Sequence, residues 1–319
     1  ILDSKFNIET YESWMCNLLT NVNNFRIIIY TNNETYPILA LYECDKVIIV
    51  IKELEELSTY YLKEKWIENH RNNHLLNHRI CWELNMLWSE KINFVKMTID
   101  SFDDIQYNLY AWCDIGYFRC RNNIDLPLEK IKHWPDNTLV DKLNSSKIYY
   151  SQIKNDSYID KLKVIATNKC FNDLPVNPIP ANQESIAGGF FIIHKNNIGW
   201  WHDTFYSRLT LYFDNNYLVK DDQIIVIDCI LNNRDRFELI NIPTRDKWFS
   251  FQQYLYKEPH IDIIIPLYNG IEFIEKSVIS VLCQSYPLWS LLICVNGYED
   301  DNNPVFLKAK EYEKIDYRI

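Results

Sequence analysis

The chain has 319 residues, 47% of them hydrophobic and 15% aromatic, so it can bury a sizeable core rather than stay disordered. A formal net charge of -10 and a pI near 5.3 argue against a nucleic-acid partner, which would need a basic face. Nine cysteines show neither paired zinc spacings nor the density of a disulfide scaffold, which indicates free thiols in a reducing compartment.

Membrane and export signals are missing from the pattern of the sequence. No apolar run approaches the ~20 residues that a membrane span needs, and the first residues lack the basic and apolar regions of a signal peptide. We therefore expect a soluble, cytoplasmic protein without a membrane span. The sequence opens without Met and stops within a pattern, which predicts a segment of a longer chain.

The first half of the sequence alternates helical and strand patterns. Apolar spacing predicts a helix over 7–23, and β-branched runs predict strands over 25–31 and 45–51. Residues 53–99 contain no Gly or Pro and predict two or three helices, followed by a strand over 107–113 that leads to Asp114. Strands separated by helices are typical of an α/β sheet, in which sites form at the carboxyl ends of strands.

The second half begins with a mixed, polar stretch and then returns to regular patterns. The pattern predicts a strand at 162–167, a proline-rich loop at 174–180, a strand entered through a glycine pair at 185–195 and a helix over 196–216. Residues 218–233 predict a loop that carries acids, followed by a buried helix. Residues 241–260 have no clear period and predict a connection. A strand, helix and strand restart over 261–297, the opening of a βαβ unit.

Asp114 is the first candidate for chemistry, because a carboxylate just beyond a buried strand can hold a divalent cation. An equally favoured alternative is an Asp that caps the following turn. The pair Asp221 and Asp222 precedes an apolar run, and one of two adjacent carboxylates in a cleft can serve as a general base. N-capping of the helix is the favoured alternative for this pair.

Six blocks of sequence resemble the HtrL/YibB (WlaTC-like) family. The blocks lie in order at 4–15, 27–34, 82–99, 110–119, 187–212 and 221–230. The family is similar to nucleotide-sugar glycosyltransferases of the GT-A fold. The resemblance therefore implies a GT-A-like, Rossmann-like mixed and mostly parallel sheet flanked by helices, with an opening strand that is truncated here.

The resemblance also implies roles for particular residues, each of which matches a block of the family. Asp114 would hold Mn²⁺ or Mg²⁺, and Asp222 or Asp221 would deprotonate the acceptor. Donor or substrate contacts would come from a further set: Thr31, Lys91, Gly116, Gly188, Gly189 and Gln223. Gly116 stands where related enzymes carry a second acid, so a second metal ligand would come from elsewhere.

The stretch 261–297 resembles the opening of family 2 glycosyltransferases. Pro266, Tyr268 and Asn269 match its first signature, and the block from Gln284 to Pro287 matches its second. Asn296 and Gly297 stand where the family usually has two acids, which puts donor choice or activity in doubt for this piece.

These patterns together predict two modules. The domains are expected at 1–245 and 261–319, with a linker at 246–260. The function expected is metal-assisted transfer of a sugar from a nucleotide-sugar donor to a hydroxyl acceptor on a glycan, glycolipid or protein, as in polysaccharide biosynthesis. The alternatives are a non-catalytic carbohydrate- or nucleotide-binding module of a larger protein, and a structural α/β partner protein.

Overall fold

The computed structural model describes residues 6–102, 107–268, 270–297 and 302–319. The chain divides into two compact units, Ile1–Tyr256 and Lys257–Ile319. Ser4 and Lys5 of the first family block, and Asn269 of the second resemblance, lie outside the described residues.

The first unit has helices along its whole length. In chain order these are α1 (Ile8–Leu19), α2 (Tyr36–Leu39), α3 (Lys63–Asn72), α4 (Trp82–Ser89), α5 (Lys91–Ser101), α6 (Leu128–Ile131), α7 (Asn137–Val140), α8 (Asp156–Thr167), α9 (Ile198–Asp214), α10 (Asp222–Asn232) and α11 (Ser250–Tyr254). Helix α9 buries one face with Trp201, Phe205 and Leu209, which recur at helical spacing, whereas α10 is buried on all sides over 224–231.

The described residues of the first unit form two sheets. Strands β1 (Ile27–Thr31) and β2 (Val47–Ile51) form a parallel pair. Four others form a sheet in the order β3-β5-β4-β6: β3 (Leu109–Cys113), β4 (Ile148–Gln152), β5 (Ile186–His194) and β6 (Phe237–Ile240). Strand β5 runs antiparallel to both neighbours, whereas β4 and β6 are parallel. The fold is mixed α/β with parallel elements and flanking helices, as predicted, and is compatible with a Rossmann-like glycosyltransferase fold.

The pairing of β4 with β5 is interrupted at the glycine pair. Tyr150 pairs with Phe191, but the next residue of β4, Ser151, pairs with Ala187. Gly188, Gly189 and Phe190 therefore have no partner on β4, and β5 bulges there. A bulge turns backbone groups away from the ladder, and this one lies beside the end of β3.

The structure differs from the sequence-based expectations at three elements. Residues 162–167, predicted as a strand, belong to α8, because Ile159, Leu162 and Ala166 are buried at helical spacing and Asn155 caps the helix start. Strand β4 was not predicted, since all of its residues are buried and its pattern does not alternate. Strand β6 was likewise not predicted from its four residues.

The predicted linker at 246–260 also differs from the structure in its first part. The first unit extends to Tyr256, because Phe251 and Leu255 are buried in its core. Gln252 fixes this segment further: its side chain donates to Tyr117 O at 2.6 Å and accepts from Leu126 N at 2.8 Å.

The second unit contains a βαβ arrangement and a further helix. Its elements are β7 (Ile261–Leu267), α12 (Ile271–Leu282), β8 (Trp289–Val295) and α13 (Pro304–Glu313). The two strands are parallel along their whole length. Ile274, Val278 and Trp289 are buried in its core.

Candidate functional site

Asp114 follows β3 at the edge of the bulge. Its backbone N–H donates to Gly189 O at 2.9 Å, which continues the pairing of β3 with β5. Its Oδ1 accepts from Trp112 Nε1 at 2.5 Å. The turn after it is closed by Tyr117 N–H donating to the backbone carbonyl of Asp114 rather than to the carboxylate. The Asp114 side chain is 38% exposed, so the carboxylate remains open on one side.

Lys91 joins Asp114 to the second carboxylate, Asp222. Lys91 is the first residue of α5, and its side chain is only 8% exposed. Its Nζ donates to Gly188 O at 2.8 Å and lies 3.3 Å from Asp114 Oδ1 and 3.2 Å from Asp222 Oδ2. Burial alone would lower the pKa of Lys91, but Asp114 and Asp222 raise it above its ordinary value. Lys91 is therefore a protonated bridge between two carboxylates.

Asp222 lies in the first turn of α10 and is 5% exposed. Burial raises its pKa to about 7, although Lys91 pulls that pKa down. Asp221 is the N-cap residue, but its side chain makes no capping hydrogen bond and instead pairs with Lys220 Nζ at 2.9 Å. Its Oδ1 is buried without a hydrogen-bond partner in the described structure. The capping alternative therefore does not account for the Asp221 carboxylate.

The glycine pair leaves space for these carboxylates. A Cβ on Gly188 would lie 3.0 Å from Gln223 Cγ and 3.2 Å from Asp222 Oδ2. A Cβ on Gly189 would lie 3.4 Å from Asp114 Oδ2, an ordinary contact. Gln223 thus packs against Gly188 on the Asp222 side of the cluster.

Three buried asparagines fix the segment that leads to Asp221 and Asp222. Asn69 donates to Val219 O at 2.8 Å and accepts from Val219 N–H at 2.9 Å. Asn73 and Asn85 donate to Lys220 O at 2.9 and 3.1 Å. Sequence reasoning missed these residues. Of the three, Asn85 could have been recognised from the sequence, because it is a polar residue within the apolar run of α4.

Glu90 fixes the start of α5 beside Lys91. It is fully buried, and its carboxylate accepts from the backbone and hydroxyl groups of Ser58 and Thr59 and from Asn93 Nδ2. These donors replace the water that a buried carboxylate loses.

Two predicted residues lie apart from the cluster. Thr31 ends β1, where its carbonyl accepts from Lys52 N–H at 2.6 Å. A Cβ on Gly116 would lie 2.8 Å from the Trp14 ring and 3.6 Å from Arg119 Nη2. Gly116 is therefore small because of aromatic packing at the turn that follows Asp114, where Arg119 also lies.

The position expected for a divalent cation holds an ammonium instead. A cation bound by Asp114 and Asp222 would have to displace Lys91 Nζ from between them. Among the residues that the structure describes, no group of three or more His, Cys, Asp or Glu side chains could hold a metal ion. The residues present do not fit the expected metal site, and the cation itself stays a prediction.

A cavity of about 10 Å³ adjoins the buried side of the cluster, lined in part by Lys91, Tyr150 and Asp222. That volume is about what one water needs and is too small for a sugar ring. A substrate would therefore approach from the exposed side of Asp114.

The second unit brings the ends of its parallel strands together. Asn296 N–H donates to Leu267 O at 2.9 Å. Gly297 has φ of +83°, and a Cβ there would lie 2.3 Å from the Tyr268 ring, so this position requires glycine. Gly297, at which the family 2 resemblance predicted an acid in related enzymes, thus packs against Tyr268.

The chain is 39% identical over 62 residues to the Bacillus subtilis (strain 168) protein named "Putative teichuronic acid biosynthesis glycosyltransferase TuaG". The match covers 19% of this chain and 23% of that protein. Part of the chain is thus similar to a glycosyltransferase. No family model matches the chain, and no solved structure gives a significant match.

The HtrL/YibB and family 2 assignments accordingly stay predictions. As for membranes, none of the helices in the described ranges combines the length and the apolar character that a bilayer crossing demands.

Proposed function

We propose that the first unit transfers a sugar from a nucleotide-sugar donor to a hydroxyl group of a growing glycan or another acceptor. One observation carries this proposal: Asp114 and Asp222 both form ion pairs with Lys91, beside the glycine bulge of β5. The two carboxylates differ in exposure, 38% against 7% of the side chain, which suits them to different roles.

Asp222 is suited to act as the general base. Its raised pKa, about 7, lies near neutral pH, where a base is most effective. Lys91 faces Oδ2, so Oδ1 is the oxygen that would take the proton of the acceptor hydroxyl. Asp221 is the less suitable base, because Lys220 pairs with it.

Asp114 is suited to position the donor. Trp112 and Lys91 hold its carboxylate in one orientation while its open side can accept hydrogen bonds from sugar hydroxyls. In the transfer step the acceptor oxygen bonds to the anomeric carbon, and the bond from that carbon to the diphosphate oxygen breaks. The electron pair leaves with the nucleoside diphosphate, and the acceptor proton goes to Asp222. No step here passes through a metal.

The second unit supports the same class of activity. The family 2 signatures lie within the second unit, and part of the chain is similar to a glycosyltransferase over 62 residues. We infer that this unit belongs to a second glycosyltransferase domain. TuaG is named for teichuronic acid biosynthesis, which supports a polysaccharide as acceptor.

The test is release of nucleoside diphosphate from a panel of nucleotide sugars, with and without candidate glycans. We expect one donor to be turned over, and Asp222→Asn to lower the rate by about 10²- to 10⁴-fold. Asp203→Asn is the matched control, since Asp203 is 81% exposed and bonds only to His202 in the described structure. Binding of a donor without any release would contradict the enzyme proposal and favour a binding module.

A further inference from the structure

The Lys91 ammonium lies where a cation shared by Asp114 and Asp222 would bind. Its three N–H groups face three oxygen atoms, on Gly188, Asp114 and Asp222, at 2.8 to 3.3 Å. A divalent cation binds oxygen at about 2.0 to 2.6 Å. It would therefore meet the ammonium at a distance where repulsion between buried charges is strong.

Lys91 is also held in place. Its side chain is 8% exposed, and the preceding residue, Glu90, is tied by hydrogen bonds to Ser58 and Thr59. Moving the ammonium out would leave the buried Asp222 carboxylate facing Asp114 with no countercharge, which is costly for a buried group. The cluster thus contains its own cation.

Arg119 supplies a second positive charge at the turn that follows Asp114. Its Nε donates to Gly116 O at 2.8 Å, and its guanidinium lies 4.4 Å from the Trp14 ring centre and 5.1 Å from that of Phe249. Within the described residues no ion pair joins it to a carboxylate. Its neighbour Arg121, by contrast, pairs with two aspartates at 2.7 and 3.0 Å.

Such an arginine is suited to bind phosphate. The stacked rings fix the plane of the guanidinium, while its outer N–H groups remain able to form two parallel hydrogen bonds to phosphate oxygens. Its hydrogen bond to Gly116 O places Arg119 at the turn that begins at Asp114, because Gly116 is only two residues beyond that carboxylate.

We propose that the first unit binds the diphosphate of its donor without a divalent cation, with Lys91 in place of the metal between the carboxylates and Arg119 receiving the phosphate oxygens. This inference rests on the proposed function and specifies how the donor is held.

A titration of the whole chain with Mn²⁺ alone tests whether the site lacks a divalent cation. Electron paramagnetic resonance measures the Mn²⁺ that stays free at each step. We expect no saturable binding by the wild-type protein. Lys91→Met should create binding, because it frees the two carboxylates and Gly188 O, and adding Asp114→Asn should abolish it. Saturable binding of Mn²⁺ by the wild-type protein that Asp114→Asn removes would overturn the proposal. This outcome can be obtained even if Lys91→Met does not fold.

Titration calorimetry with uridine and guanosine diphosphates, in chelator and then in Mn²⁺, tests the second part. We expect one of them to bind equally in both buffers. Arg119→Gln should weaken that binding at least about 10-fold, Arg119→Lys should weaken it less, and binding of the matching nucleoside should not change. Arg71→Gln is the control, because Arg71 is exposed at the end of α3.

The outcomes separate the two proposals. Binding that requires Mn²⁺ would overturn the metal-independent site while leaving the proposed transferase intact. Metal-free binding that Arg119→Gln does not weaken would overturn the role of Arg119. No binding of nucleotides or nucleotide sugars, with or without metal, would overturn the proposed function and this inference with it.

Discussion

Gly188 lies so close to Asp222 that a methyl group on its Cα would come within 3.2 Å of the carboxylate oxygen Oδ2. The same methyl group would lie 3.0 Å from Gln223 Cγ. The position therefore needs glycine because of its neighbours, and Gly188 in turn fixes where Asp222 can lie.

Alanine substitutions at the two glycines should have unequal effects. Gly188→Ala pushes Asp222 and Gln223 away, and we expect the transfer rate to fall by about 10- to 100-fold, since small displacements of a reacting group are costly. Gly189→Ala makes only an ordinary contact with Asp114 and should cost less. Steady-state rates with thermal melting measure both effects.

Gly199→Ala is the control for this pair. A Cβ at Gly199 meets nothing within 4 Å, and Gly199 lies in α9, where alanine is favoured over glycine by about 0.5 to 1 kcal/mol. This variant should keep the wild-type rate. Equal rates for Gly188→Ala and Gly199→Ala would show that the close approach to Asp222 does not matter.

The transfer rate should rise with pH through about 7. A general base works only when deprotonated, and burial raises the pKa of Asp222 to about 7. The dependence of kcat/KM on pH gives this value directly. A rate that is flat between about pH 5.5 and pH 8.5 would argue against Asp222 as the base.

The contribution of Asp222 to the free energy of unfolding should fall as pH rises, whereas the transfer rate should rise. The folded pKa is above the ordinary value of 3.8, so the folded state binds the proton more tightly than the unfolded state does. The stabilising contribution is therefore present at low pH and is lost as pH rises from about 4 to about 7. We expect Asp222→Asn to become more stable relative to wild type over that range. Denaturant unfolding at several pH values measures it, and a free energy of unfolding of Asp222→Asn that falls relative to wild type as pH rises would contradict it.

Asn85→Ala should loosen the segment before Asp221. Asn85 is fully buried and donates to Val219 O and Lys220 O, which would lose these donors. We expect a loss of about 1 to 3 kcal/mol in the free energy of unfolding and a lower transfer rate. Asn72→Ala, at an exposed position on the end of α3, is the matched control and should change neither. Equal effects of the two variants would remove the positioning role of Asn85.

Local patterns predicted where Asp114 and Asp222 stand in the fold. Strand ends and helix starts can be read from the spacing of apolar residues, and the scarcity of glycine directed attention to Gly188 and Gly189. The structure brings Asp114, Gly188, Gly189 and Asp222 together around Lys91.

The partners of these residues could not be predicted in the same way. Lys91 was expected to contact the donor or substrate, but its ion pairs join it to residues 23 and 131 positions away, which only the tertiary fold decides. Asn69 and Asn73 lie in an asparagine-rich region and carry no local signal. Strand β4 is buried throughout, so no alternation marked it.

The most direct test of a single site built around Lys91 is the rate of nucleoside diphosphate release in a double-mutant cycle of Asp114→Asn and Asp222→Asn. Both carboxylates serve one reaction and share Lys91. The double variant should therefore be only slightly less active than the less active of the two single variants. Losses that multiply would show that the two residues act independently. An unchanged rate in either single variant would contradict the account.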